Sequence, residues 1–262
     1  MTTIDAILPA GGLIDDAFAA KVGVKNKALI QFDGKTILRR TLDALEASGR
    51  VGETVVIGTE EVLEHEDAKQ AGTTLPAGGS GPDNILKGLL FLMERPNPPD
   101  KVLIATTDMP FLTDAIIEDF LDKCASDCDI HVPLVTRDQY VARFPGSTAN
   151  FVPLKDNVWT IGGAYVVDVQ AFQAALPHVQ KLFEQRKSKL GMAKLLGPVF
   201  LCRFLAKKLT VPMVEAKLKQ ILGCTGAPVL NCAPELAYDI DDIEDYEYAM
   251  KFIGGELTDV TH

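Results

Sequence analysis

Ile4-Asp5-Ala6-Ile7-Leu8-Pro9-Ala10-Gly11-Gly12 is the stretch that decides the fold. A short, mostly apolar run meets two adjacent glycines, which is how a buried strand delivers the chain into a flexible loop. Downstream, Ile37, Leu38, Thr41, Leu42 and Leu45 put an apolar stripe on one face of a helix over residues 36–47, closed by Ser48-Gly49. The alternation continues with a strand at 53–58, helices at 60–70 and 82–93, a strand at 101–106, a helix at 113–125 and a strand at 129–135. A strand at 160–168 follows, then a helical stretch from about 170 to 222, short strands near 227–231 and 236–240, and a helix at 243–252.

Strands alternating with helices predict an α/β fold, a Rossmann-like, mostly parallel mixed sheet with helices on both faces. The reading is one domain over 1–262, with 170–222 as a helical insertion or lid. Open sheets of this kind bind ligands beyond the carboxyl ends of their strands, so the loops starting at Ala10, Leu75 and Thr107 should converge.

Composition narrows the function. The 262 residues carry 26 Lys plus Arg against 36 Asp plus Glu, a formal charge of −10. Nucleic-acid affinity comes mainly from basic side chains releasing counterions, so a nucleic-acid partner is not expected. The five cysteines are odd in number and form no C-x-x-C pair, which reads as reduced thiols in a cytoplasmic protein. Met-Thr-Thr-Ile-Asp lacks the basic start of a signal peptide, and no apolar run approaches the roughly 20 residues of a membrane span.

Three constellations carry chemistry. Gly11-Gly12 allow backbone N–H groups to approach phosphate oxygens, and Lys27 supplies a point charge for the same anion. The spacing is neither a G-x-G-x-x-G fingerprint nor a P-loop. Asp108, in Thr106-Thr107-Asp108-Met109-Pro110, stands just past an apolar strand on the ligand side of the sheet, where Mg²⁺ accepts one or two carboxylates. In Tyr238-Asp239-Ile240-Asp241-Asp242-Ile243-Glu244-Asp245, Asp239 and Asp241 share a face of extended chain, while the later acids suit the positive end of a helix.

In their order along the chain, Gly11-Gly12 with Lys27-Ala28-Leu29, the Asp108-Met-Pro turn, Thr160-Ile-Gly-Gly-Ala-Tyr and the closing acidic segment resemble the MobA-like nucleotidyltransferases, proteins of GT-A type. The resemblance implies transfer of a nucleoside monophosphate from an NTP to a small phosphorylated acceptor, with release of pyrophosphate. It implies nucleotide contacts from Ala10, Gly11, Gly12, Lys27, Thr107 and Asp108, and from Gly79, Ser80 and Asn84 of the segment that looks like a base and ribose loop. It implies acceptor contacts at Gly162 and Gly163, a catalytic set of Lys27, Asp108 and Asp241, and Mg²⁺ held by Asp108 and Asp241.

The sequence departs from the family in two places. The glycine loop normally continues with another Gly and an Arg that binds the triphosphate. Here it continues Leu13-Ile14-Asp15-Asp16, leaving Lys21 and Lys25 as substitute charges without an arginine fork. Between 181 and 219 ten basic residues face only Glu184 and Glu215, a net +8 that leaves −18 for the rest of the chain. That segment reads as a solvated lid or homodimer element, or as a surface for an anionic membrane or acceptor. Two other functions fit the same architecture: a GT-A glycosyltransferase and a non-catalytic nucleotide-binding protein.

Overall fold

Strand β1 (Ile4–Ala10) lies inside the sheet of the computed structural model, which describes residues 3–124, 127–185 and 188–255. After it come α1 (Asp16–Val22), a 3-10 turn (Lys27–Leu29), a hairpin of β2 (Gln31–Phe32) and β3 (Lys35–Thr36), and α2 (Ile37–Ala47). Then follow β4 (Val51–Gly58), α3 (Glu60–Glu64), α4 (Glu66–Lys69), β5 (Thr73–Pro76), α5 (Gly81–Met93), β6 (Lys101–Ala105) and α6 (Asp114–Lys123). The middle of the chain forms β7 (Ile130–Thr136), α7 (Arg137–Arg143), β8 (Val152–Pro153), β9 (Val158–Ile161) and β10 (Ala164–Asp168). Four helices, α8 (Val169–Gln185), α9 (Lys189–Leu196), α10 (Pro198–Leu205) and α11 (Val211–Leu222), precede β11 (Gly226–Val229), a 3-10 turn (Pro234–Ala237) and α12 (Ile243–Ile253).

The strand order is β5-β4-β1-β6-β10-β7-β9-β8, with β11 also on β7. β5, β4, β1 and β6 are mutually parallel, and β10 enters antiparallel to both β6 and β7. The mixed, helix-covered sheet is the one the alternation predicts. Side chains of successive residues leave a strand on opposite faces. Leu8, Val56, Leu103 and Val166 therefore enter one core, under α2, α6 and α12, while Ile7, Ile57, Ile104 and Val167 enter the other, under α5 and α8.

Local chemistry sets the helix boundaries. Thr36, Ser80 and Thr113 each accept a hydrogen bond from a first-turn amide, which starts α2, α5 and α6. Pro198 and Pro212 fall in the first turns of α10 and α11, where a missing N–H costs nothing.

Several expectations need correction. The helix at 60–70 is two short helices, because His65 is extended. The strand at 160–168 is divided at Gly162-Gly163 into β9 and β10. No strand forms at 236–240 among the described residues; a 3-10 turn leads instead into extended chain. Ala125, the expected end of α6, lies outside the described residues, as do Arg186 and Lys187 of the basic stretch.

Candidate nucleotide and metal site

At the end of β1 the chain is held from below by Asn26, a fully buried residue. Its Nδ2 donates to the carbonyl of Ala10 (2.9 Å), and its Oδ1 accepts from the Ala28 amide (2.9 Å). The Lys27 amide donates to the Gly12 carbonyl (2.9 Å), and the Ile14 amide to the Lys25 carbonyl (3.1 Å). These bonds lay the glycine loop against residues 25–27 and fix Lys27 beside it.

On the far side stands Asn84, whose Oδ1 accepts from the Gly78 amide (2.6 Å). A Cβ on Gly11 would lie 2.6 Å from Asn84 Nδ2, so the close approach of these loops requires glycine. The N-terminus of α5 opens on the same space. Ser80 caps it and donates to Asp83 (2.7 Å), so its hydroxyl is engaged within the helix start.

The acids arrive on two segments. Asp108 follows β6, and the Thr107 hydroxyl ties that turn to the Pro9 carbonyl (3.3 Å). Tyr238 and Ile240 are buried, so the alternation along extended chain turns Asp239 and Asp241 outward. Tyr238 packs against Phe111 and Phe144 at centroid distances of 4.9 and 4.8 Å, and the Ile240 amide donates to the Asp108 carbonyl (3.0 Å). Burying each such side chain contributes about 1.5–3 kcal/mol, enough to hold the acidic segment in register. Asp242 and Asp245 form the capping box of α12 and are spent on it.

Asp108, Asp239 and Asp241 each offer an oxygen within 4.8 Å of the other two. Lys27 Nζ bonds to Asp241 and lies 3.8 Å from Asp108 Oδ2. Burial pushes the Asp108 carboxyl above its ordinary range, and Lys27 offsets part of that shift. Asp239 is exposed along part of its side chain, but the atoms packed around its carboxyl, then the charges of Asp108 and Asp241, push it up to about 7. Burial pulls the Lys27 ammonium down, and Asp108, Asp241 and Asp239 more than compensate, so its pKa is raised.

The donor set fits a hard divalent cation. Asp108 Oδ1 is buried with no hydrogen-bond partner, a costly state for a carboxylate unless something cationic meets it. Three carboxylates against one lysine leave the cluster short of positive charge.

A cleft of about 330 Å³ opens between the glycine loop, the start of α5 and Asp108, with Asp239 and Asp241 beside Asp108 but outside its lining. Gly11, Gly12, Lys27, Gly79, Ser80, Asn84, Thr107 and Asp108 line it, while Ala10 is buried beneath the loop. Gly162 and Gly163 lie outside that lining. Their amides donate to Pro133 (3.0 Å) and Leu236 (2.7 Å), and the Gly163 carbonyl accepts from Thr106 (2.9 Å). A Cβ on Gly163 would sit 2.3 Å from Thr106 Oγ1, so this turn joins the two acid-bearing segments closely.

Sequence reasoning assigned no role to Asp239 as a third metal-side acid, to Asn26, or to Phe183, which α8 brings to the cleft. Only Asp239 left a signal, its i, i+2 spacing to Asp241. The acids of the glycine loop have a local explanation: Asp15 caps α1 through the Phe18 amide (2.9 Å), and both Asp15 and Asp16 are exposed. Lys21 pairs with Glu247 of α12, outside the cleft lining.

A glycine-rich loop, a helix N-terminus, a lysine and an acid cluster beyond the strand ends of a mixed α/β sheet define the nucleotide-handling class of such folds. The chain belongs to the family of the MobA-like NTP transferase domain, whose model matches residues 6–230. It is 28% identical over 130 residues to 2-C-methyl-D-erythritol 4-phosphate cytidylyltransferase of Vibrio vulnificus, covering 48% of this chain and 53% of that protein. With the enzyme of the same name from Pseudoalteromonas translucida it shares 34% over 134 residues, covering 47% and 50%. The match thus spans about half the length of these curated relatives. A hypothetical transferase from Thermus thermophilus superposes over 93% of this chain and 99% of its own, with a TM-score of 0.81 and 30% identity.

Proposed function

We propose that the protein is a Mg²⁺-dependent nucleotidyltransferase that moves a nucleoside monophosphate from an NTP to a small phosphorylated acceptor. The observation that carries this is the convergence of Asp108, Asp239, Asp241 and Lys27 at one end of the glycine-lined cleft. The curated relatives make CTP and a polyol phosphate the first pair to try. The five cysteines, all free, fit a reducing cytoplasm.

In the reaction, an acceptor phosphate oxygen forms a bond to the α-phosphorus. The bond from that phosphorus to the bridging oxygen breaks, and its electron pair leaves with pyrophosphate. Such transfer asks for in-line positioning and charge stabilisation rather than covalent help. Asp108, Asp239 and Asp241 would hold Mg²⁺, which when bound would supply charge neutralisation and polarisation of phosphoryl oxygens. Lys27, kept protonated by its acidic neighbours, neutralises charge passing to the leaving group.

Gly11, Gly12 and the N-terminus of α5 receive the nucleotide, and Phe183 shields the cleft from water on the α8 side. For the acceptor we propose contacts near Gly162 and Gly163, which join the two acid-bearing segments although they lie outside the cleft lining. The acceptor phosphate is already ionised near neutral pH, so no general base is required.

The test is pyrophosphate release from each NTP with Mg²⁺ and a panel of polyol and sugar phosphates. Turnover should appear for one pair and vanish in Asp108→Asn and Asp241→Asn, with thermal melts showing both variants folded. Equal turnover in both variants and the parent would overturn the assignment.

A further inference from the structure

We infer that the protein docks peripherally on anionic lipid bilayers through the tip formed by α10 and the turn that follows it. Residues 202–208, Cys-Arg-Phe-Leu-Ala-Lys-Lys, form an unbroken run of exposed positions. Val199, Phe204 and Leu205 are 66%, 37% and 73% exposed, and neither α10 nor α11 has a buried residue. Val199, Arg203 and Lys208 line one shallow hollow, and Val199 and Arg203 share a second with Met213 and Lys217, so Val199 and Met213 adjoin three cations, while Phe204 and Leu205 stand exposed elsewhere around the same short helix.

Charge supplies the identity of the occupant. Among the described residues, Lys194, Arg203, Lys207, Lys208, Lys217 and Lys219 make no ion pair with a carboxylate, whereas most arginines of the sheet body do. These cations belong to the +8 segment of a chain whose remainder carries −18. An anionic surface attracts the tip and repels the body, which fixes one orientation. Apolar side chains ringed by unpaired Lys and Arg are what an interfacial element presents: the cations meet lipid phosphates while the apolar groups enter the headgroup boundary. A tip-to-tip dimer would set the same cations against one another.

The inference is independent of the catalytic reading. The test is co-sedimentation of the full chain with vesicles of phosphatidylcholine, with and without about 30 mol% phosphatidylserine, at about 0.1 M salt. Partitioning to the anionic vesicles should exceed that to neutral ones at least about tenfold, and should fall about tenfold in Lys207→Glu/Lys208→Glu. It should also fall in Val199→Ser/Leu205→Ser, which keeps every charge. Melting curves and NTP-binding isotherms of both variants should match the parent, since none of these residues lines the cleft. Equal partitioning to both vesicle types, or variants that bind like the parent, would overturn the proposal. So would light scattering that shows a dimer dissolved by Leu205→Ser in the absence of lipid, which would make the tip a protein interface.

Discussion

The amide of Ile240 donates to the carbonyl of Asp108 across 3.0 Å, joining the acid-bearing turn after β6 to the acid-bearing segment before α12. One backbone bond thus holds Asp239 and Asp241, on either side of Ile240, against Asp108. Asp239, which the sequence reading placed on a face with Asp241 but left out of the metal set, is therefore predicted to matter as much as Asp241. Asp239→Asn and Asp241→Asn should each weaken Mg²⁺ binding by about tenfold or more, because each removes one of three clustered negative charges. Titration calorimetry with Mg²⁺, or Mn²⁺ relaxation enhancement, reads this without turnover. Unchanged affinity in Asp239→Asn would reduce the cluster to two ligands.

Lys27 is the cation closest to this cluster, bonded to Asp241 and 3.8 Å from Asp108. Replacing it with Met keeps most of its stem and removes the charge. We expect kcat for pyrophosphate release to fall about 10²-fold or more, the usual scale for a preorganised charge at a developing anion. Lys27→Arg should recover part of the loss, since the charge returns on a different geometry. Single-turnover rates at saturating NTP separate this effect from weaker binding.

The sheet was legible because β1, β4 and β6 are apolar runs closed by turn residues, a pattern that survives any tertiary context. Asp108 and Lys27 were legible from their position after strand ends and beside the glycine loop. Asp239 was harder to single out because the segment 239–245 holds more acids than a metal needs, and only packing separates ligands from helix caps. Tyr238 and Ile240 turn inward, Asp242 and Asp245 cap α12, and what remains facing Asp108 is Asp239 and Asp241. Asn26 left no pattern at all: a single polar residue in a loop reads the same whether it is solvated or buried as a clamp. Phe183 reaches the cleft only because α8 packs on α5, a long-range contact that no local period announces; Gln180 of α8 bonds to Asp83 of α5 (3.0 Å).

Asn26 should therefore be the loop residue with the largest stability effect. Asn26→Ala removes the side-chain donor to the buried Ala10 carbonyl and the acceptor of the buried Ala28 amide, at a cost of about 2–3 kcal/mol. NTP affinity should fall with it, because the glycine loop loses its anchor. Urea unfolding with an unchanged m-value, alongside nucleotide titration, checks both parts. Stability within about 0.5 kcal/mol of the parent would mean the loop is held by other means.

Gly163 tests the joint between the two acid segments. An alanine there places a Cβ 2.3 Å from Thr106 Oγ1 and 3.0 Å from Met109 Sδ, so the turn must shift. Overpacking of this kind costs about 1–3 kcal/mol, and the shift should separate Asp108 from Asp239 and Asp241. Gly163→Ala is expected to lose Mg²⁺ affinity as well as stability, whereas Gly223→Ala, at an αL helix end far from the joint, should lose stability alone. Equal Mg²⁺ affinity in the two variants would detach Gly163 from the site.

Acid stability has its own anchor at Asp129, which precedes β7. Its carboxylate accepts from both the amide and the hydroxyl of Thr225 at 2.6 Å, tying the start of β7 to the start of β11. Those two hydrogen bonds lower its pKa below the ordinary carboxylate value. Because the folded state holds the carboxylate more tightly than the unfolded chain does, the contribution is present above the unfolded pKa of about 3.9 and is lost as pH falls through the lower, folded value. Asp129→Asn removes the charge while keeping the shape. It should cost about 1 kcal/mol at neutral pH and should flatten the acid limb of the stability curve, so that the variant and parent converge only once the pH has fallen below the lowered, folded pKa of Asp129. Chemical denaturation at a series of pH values measures the gap directly. A gap that stays constant down to the acid limit would show that Asp129 acts there by packing, not by charge.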